Sequence, residues 1–447
     1  MKIRSSPRQR LFWLTGILLC SLSPYAQAAT NVPTTITSAD TVWVLFSTSL
    51  VMLMMPGLAF FYGGLVRRKS ILSILMQCFM LMCIISLQWV FCGYSLSFGP
   101  DIGTVIGSLK WMGLQSIGAE ASPYAPRVPH LAFVLFQMMF AVITPGLIIG
   151  AFVERMRFSA FCFFSLLWVT LVYCPVAHWV WGAGGFLGTQ GGAGAVDFAG
   201  GIVVHINAGM AALAAVVVLG KRKGFPHSIS PPHNLPFATL GAALLWFGWY
   251  GFNAGSALAA NSVAVHAFLA THVAGAAGGL LWSLLDWLKF GKPTTLGMIT
   301  GAVGGLASVT PAAGYVTMGG AIWIGIGAGI ICWASVTALK ARLQYDDSLD
   351  AFGVHGVGGI WGTLAVGLWA CRAVNPEAGI DGLFYGNPWQ LWLQTKAVLV
   401  TMLYSFVASL ILFKVVDFVI GLRVTDHEES VGLDLTQHRE AAYTQLD

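Results

Sequence analysis

Apolar residues in this chain fall in long blocks, without the alternation of a strand or the one-sided stripe of a surface helix. Eleven blocks approach or exceed the length a membrane-crossing helix needs, about 20 residues. They cover 41–64, 71–96, 130–152, 158–180, 200–219, 236–257, 264–288, 295–313, 317–339, 350–371 and 391–417. Basic residues cluster in alternate loops between them: Arg67, Arg68 and Lys69; Arg155 and Arg157; Lys221, Arg222 and Lys223; Lys289 and Lys292; Lys340 and Arg342. The opposite loops carry only Lys110, Arg127 and Arg372. Basic loops stay on the cytoplasmic side, so the pattern predicts an N-terminus outside and a C-terminus inside.

The run Leu11–Leu22 is too short to span and has different flanks. Lys2, Arg4, Arg8 and Arg10 precede it, and Ala26-Gln27-Ala28 closes it. A basic start, an apolar centre and a small-residue cleavage site predict a cleavable signal peptide over 1–28. Cys20 follows Leu18-Leu19 and not a small residue, which argues against a lipoprotein anchor. Cleavage leaves the N-terminus outside, in agreement with the basic loops.

Composition excludes a soluble protein. The chain is 57% hydrophobic and 9% charged, against roughly 25% charged in an ordinary soluble domain. Its mean hydropathy is +0.76. Loss of the signal peptide removes four positive charges and no acidic ones, so the formal +5 falls to +1 and points to no nucleic-acid partner. The eight cysteines form no CxxC pair, and most lie in apolar runs as packing residues. Gly275/Gly279, Gly301/Gly305, Gly325/Gly329 and Gly358/Gly362 have the spacing of close helix contacts. Trp89, Trp168, Trp179, Trp389 and Trp392, near block ends, read as interface or packing aromatics.

Two histidines stand inside the apolar blocks. His205 lies in DFAGGIVVHIN (Asp197–Asn207), and His355 lies in DAFGVHGVGG (Asp350–Gly359). An ionisable group in a membrane helix is costly and by default marks a substrate path. Eleven blocks divide as five, five and one, and each histidine falls in the last block of its half. An odd-numbered repeat must be inverted, which brings both histidines to the midplane where the halves meet. Phe60-Phe61-Tyr62-Gly63-Gly64 and Trp249-Tyr250-Gly251-Phe252 give a fainter echo between the first and sixth blocks.

Two neutral imidazoles between apolar walls cannot replace an ion's hydration shell. They suit a small polar molecule, with one ring nitrogen donating to the other and the outer nitrogens left available. Trp181, Phe136-Gln137, Phe140 and Ser256 come from block ends on the outer side. Aromatic faces with a hydroxyl form a cation–π cage for an ammonium-type cation. A cation held at the mouth and an apolar passage beyond it are joined most simply by deprotonation on entry.

Several phrases resemble the ammonium transporter (Amt/Mep/Rhesus) family: DFAGGIVVHINAGMAAL (Asp197–Leu213), PPHNLP (Pro231–Pro236), GWYGFNAGS (Gly248–Ser256), TPAAGYV (Thr310–Val316), FGVHGVGGIWG (Phe352–Gly362) and GLRV (Gly421–Val424). The resemblance runs in order through 40–447. It implies an all-α membrane protein, a trimer of eleven-helix subunits with one pore each, over a transmembrane domain at 40–420. Trp181, Phe140 and Ser256 match the external ammonium-recruitment site, Phe140 and Phe252 the stacked gate, and His205 and His355 the twin-histidine pair. Trp249 matches a pore-lining aromatic, and Asp197 a family aspartate read as a helix cap near the site. Trp181 with Ser256 places the chain nearer the bacterial transporters than the Rhesus branch. Met138-Met139, beside Phe140, departs from the pattern by its bulk.

The resemblance also implies uptake of ammonium, and of methylammonium, across the cytoplasmic membrane. The tail over 421–447 matches a segment that helps a cytoplasmic PII-type regulator close the pore. His178, His266 and His272 lack a comparable phrase and read as structural. No HxxxH or HxxHH cluster suggests a metalloenzyme, and neither a cofactor nor a metal is expected. The alternative is an ammonium sensor acting through the PII-type partner. A sensor usually carries an appended signalling domain, whereas this chain stops shortly after Gly421.

Overall fold

The computed structural model describes residues 35–227 and 230–443. The signal peptide expected over 1–28 lies outside the described residues. Helices occupy all eleven apolar blocks: α1 Ser38–Leu65, α2 Ile71–Phe98, α3 His130–Phe152, α4 Phe158–Trp181, α5 Gly201–Leu219, α6 Leu235–Ala257, α7 Ser262–Phe290, α8 Thr295–Val309, α9 Met318–Leu343, α10 at 352–369 and α11 Pro388–Ile420. Among the described residues, nine are long and apolar enough to cross a membrane. The other two are α8, with 15 residues, and α10, where a π-turn over Phe352–Gly356 runs into Val357–Trp369. The helix α8 stops short of the expected 313 because Pro311 has no N–H with which to continue the helical hydrogen bonds.

Local chemistry starts these helices where the chain leaves its loops. Thr37, Asn234, Asn261, Thr294 and Thr317 each accept a backbone N–H from the first turn of α1, α6, α7, α8 and α9. Small residues then let the helices meet. A Cβ on Gly64 of α1 would lie 2.5 Å from the backbone nitrogen of Ala238 in α6, and one on Gly278 of α7 would lie 3.0 Å from the Cα of Gly305 in α8. Gly325 and Gly362 meet neighbouring backbone as closely. Trp89 and Trp168 are buried and donate to the Val134 carbonyl and to Ser409, so they are packing residues. Trp389 and Trp392 are exposed on α11.

The two ends of the bundle differ. At one end, residues 99–129 form two small hairpins, β1 Asp101–Ile102 with β2 Ile106–Gly107, and β3 Ala121–Ser122 with β4 Ala125–Pro129. At the other, the basic loops join a buried ion network. Arg155 lies 3.1 Å and Arg222 lies 2.8 Å from Asp346, and Arg67 lies 2.9 Å from Glu154. Burial alone would raise the Asp346 carboxyl, but the hydrogen bond and charge of Arg222, with the charge of Arg155, hold it below the usual carboxylate range. Two short tail helices, α12 Asp426–Val431 and α13 Leu433–His438, seat on these loops. A capping box between Thr425 and Glu428 starts α12, Glu429 accepts from the Lys223 backbone at 2.7 Å, and Asp434 accepts from the Ser73 backbone at 2.8 Å.

Candidate functional site

The two histidines are placed from the backbone upward. Both carboxylate oxygens of Asp197 accept hydrogen bonds, from the N–H groups of Gly200 (2.8 Å), Gly201 (2.7 Å), Ile202 (2.7 Å) and Val203 (3.1 Å). A helix start leaves four such donors without partners, and one buried side chain satisfies all four here. Gly200, with φ +119°, turns the chain into a π-turn over Gly201–Ile206 that carries His205. The second half repeats the device. Asp347 accepts from Ala351 (3.0 Å) and Phe352 (2.8 Å), Asp350 takes the turn with φ +60°, and the π-turn over Phe352–Gly356 carries His355. Burial, followed by the charge of Asp350, pushes the Asp347 carboxyl above the usual carboxylate range.

This corrects the pairing read from the sequence. The counterpart of Asp197 is Asp347, eight residues before its histidine as Asp197 is before His205, and not Asp350. Asp350 stands where the first half has Gly200, and its carboxylate pairs instead with Lys340 at 2.6 Å.

Glycine crossings then bring the rings together. Gly209 meets the backbone of Gly356, and a Cβ on Gly359 would lie 2.9 Å from both the Gly201 carbonyl and the Cβ of His205. The imidazoles lie 5.3 Å apart between centroids and 10° from parallel. The hydrogen bond expected between them is not made. Neither nitrogen of His205, nor Nδ1 of His355, has a protein partner.

Around the pair runs a series of cavities. At the hairpin end of the bundle, the outer end in the orientation expected from the basic loops, a cavity of about 210 Å³ is lined by Phe136, Phe140, Trp181, Ser256 and Tyr315 among others. The indole of Trp181 donates to the Asp197 carbonyl (2.9 Å), and Ser256 donates to the Phe252 carbonyl (2.8 Å), leaving its oxygen free to accept. Phe140 and Phe252 close the floor, with centroids 4.3 Å apart. Beyond them a cavity of about 10 Å³, room for roughly one water-sized molecule, holds both histidines and Trp249 between Met54, Leu58 and Ile143. Trp249 lies 5.6 Å from His205, nearly parallel to it, and its N–H is held by Thr310 at 2.9 Å. His355 also borders a third cavity of about 300 Å³, which reaches Arg222, Asp286 and Asp350.

The residues that the resemblance assigns to the recruitment site, the gate and the pore all border this series. Asp197 also borders the outer cavity, although its oxygens point into the backbone. Met138 and Met139 are buried and do not line the outer cavity, so their bulk leaves it open. His178 binds the Ser97 carbonyl and Asp101, His266 the Val316 carbonyl, and His272 the Tyr250 hydroxyl; all three are structural. Sequence reasoning missed Asp347, whose eight-residue spacing to the histidine was the available signal. It also missed Thr310 and Tyr315, which lie inside a quoted motif but at positions that no periodicity marks.

Comparison with known proteins agrees with the geometry. The sequence profile of the Ammonium Transporter Family matches residues 42–443. An ammonium transporter of Bacillus subtilis is 51% identical over 404 residues, covering 90% of this chain and 98% of that protein. Ammonium transporter Amt1 of Archaeoglobus fulgidus is 49% identical over 403 residues, with the same 90% and 98% coverage. The crystal structure of Candida albicans Mep2 superposes with a TM-score of 0.84 at 36% identity, covering 94% of each chain. A structure described as a sensor Amt protein superposes at 0.81 with 29% identity, covering 90% of this chain and 98% of that one. A near-complete profile match, relatives at half identity and a cavity series centred on two facing histidines point one way: this chain belongs to the ammonium transporter family.

Proposed function

We propose that the protein takes up ammonium across the cytoplasmic membrane through one pore per subunit. Ammonium is recruited in the outer cavity by Trp181, Phe140 and Ser256, loses a proton, and passes the Phe140/Phe252 gate as ammonia between His205 and His355. The observation that carries this reading is the change along the path. A cavity with aromatic faces and a free hydroxyl oxygen opens onto an apolar one in which the histidine nitrogens have no protein partner. An unmade hydrogen bond at a buried group costs about 1–3 kcal/mol, so these nitrogens favour a small molecule that can pair with them.

The eleven helices act in this reading as eleven spans, two inverted five-helix repeats and a last helix, assembled as a trimer. Support comes from the contacts between counterparts, α1 on α6 and α5 on α10, and from the matched Asp197 and Asp347 devices. The basic loops face the cytoplasm, and so does the tail seated on them.

Uptake of labelled methylammonium into proteoliposomes, with current recorded during an ammonium pulse, tests the reading. Native protein is expected to exceed empty vesicles in uptake, and the current reports whether net charge crosses. Trp181→Leu is expected to weaken apparent affinity, since a cation–π contact contributes roughly 0.5–2 kcal/mol. Native affinity in that variant would remove Trp181 from the recruitment site.

The tail supports a regulatory partner. Its helices bond to the Lys223 loop and to the first turns of α2 and α4, so a protein docked on that face bears on the inner ends of both helices. A PII-type protein of the host is expected to bind purified transporter under nucleotide conditions that favour docking. Absence of any association across those conditions counts against this partner. The likeness to the sensor Amt structure keeps a sensing role through the same partner as the second reading. Binding of the partner that follows external ammonium in a transport-dead variant would favour it.

A further inference from the structure

The mouth is held in place from the last helix. Gln394 of α11 is fully buried, and its amide makes four hydrogen bonds. Oε1 accepts from the Val196 N–H (2.8 Å) and from Nε2 of Gln390 (3.3 Å), while Nε2 donates to the Val196 carbonyl (2.7 Å) and the Thr363 carbonyl (3.3 Å). Two donors and two acceptor sites are all a carboxamide has, so none is left over. The bonds to Val196 clamp its peptide groups on both sides, as a neighbouring strand would.

Val196 immediately precedes the segment on which the outer cavity depends. The carbonyl of Asp197 receives the Trp181 indole N–H, the Asp197 carboxylate caps α5, and the N–H of Phe198 is held by the Pro311 carbonyl at 3.1 Å. The Thr363 carbonyl lies in α10, the helix of His355. One side chain thus connects the mouth segment with the helix of the second histidine.

We propose that Gln394 is a positioning residue for cation recruitment, fixing Val196 so that the Asp197 carbonyl sets the tilt of the Trp181 ring over the outer cavity. The inference rests on the reading of Trp181 as part of the recruitment site. A cation–π contact weakens as the cation leaves the ring face, so a tilted indole binds less well while the passage beyond is untouched. Gln390 braces the clamp through its second bond, to the Gly194 carbonyl at 3.2 Å.

The test uses full-length protein in proteoliposomes and compares native, Gln394→Met, Trp181→Leu and the double variant. KM and maximal rate for methylammonium uptake are measured, with thermal unfolding in detergent. Gln394→Met keeps the volume and removes all four hydrogen bonds. It is expected to raise KM roughly three- to tenfold with maximal rate within about twofold, and to add nothing in the Trp181→Leu background. Gln394→Leu, which likewise removes every donor and acceptor at the site, is the second variant should the first not fold, and the same rise in KM is expected. A native KM in a folded Gln394 variant, beside a raised KM in Trp181→Leu, overturns the proposal. So does a loss of thermal stability and maximal rate without change in KM, or a full additive effect in the double variant. A native KM in Trp181→Leu itself instead refutes the recruitment reading on which the proposal stands.

Discussion

His205→Asp and His355→Asp are expected to admit potassium, and His205→Ala and His355→Ala to cut ammonium transport on the order of a hundredfold, the scale of a lost proton-handling group. The physical basis is the contrast inside the central cavity. Its walls are Met54, Leu58, Ile143 and similar side chains, and the facing imidazoles are its polar lining. Neutral rings offer hydrogen bonds without charge, so a cation that enters has nothing to repay its lost hydration. A carboxylate at either position supplies that repayment. Each ring is held by its own helix at a glycine crossing, so substitution leaves the partner ring in place and the protein folded. Ammonium and potassium flux through the four variants is the measurement. Native ammonium rates with potassium still excluded in all four would exclude the twin-histidine mechanism.

Asp197→Ala is expected to cost several kcal/mol of stability, the largest effect of any single substitution near the mouth. It strands four buried N–H groups at the start of α5. Each unmade bond costs about 1–3 kcal/mol, and whole domains are stable by only about 5–15 kcal/mol. Asp197→Asn retains one accepting oxygen and should lose about half as much. Asp347→Ala strands two N–H groups and should fall in the same range as the asparagine variant. Thermal unfolding of the three in detergent gives the order. If Asp197→Ala unfolds at the native temperature yet does not transport, the carboxylate acts on the ammonium ion and not on the backbone.

These two predictions concern the same pair of turns, and the turns mark how far the sequence could be read. Long apolar blocks are enough to specify helices, because in a membrane every backbone group must be satisfied within its own segment. The histidines were visible for a related reason: an ionisable residue in such a block is too costly to be incidental. Polar residues at block ends and basic loops were legible as well, since both depend on composition within a short stretch. The bounds of α8 needed only Pro311, a local signal.

What stayed hidden depends on backbone angles and on partners far along the chain. The match of Asp347 to Asp197 rests on a positive φ at the third position of each turn, filled by glycine once and by aspartate once, so similarity of letters pointed to Asp350 instead. The ring separation depends on Gly209 meeting Gly356 across almost 150 residues, and only the packed helices decide that distance. Gln394 looks in sequence like any polar residue in a long helix. Its role comes from Val196 and Thr363, which the chain brings to it only on folding. The sequence by itself determined the helices, the two histidines and the class of path. The tertiary structure decided the spacing and tilt of the groups along that path, because hydrogen bonds and steric contacts between distant residues carry no periodicity that a chain can display.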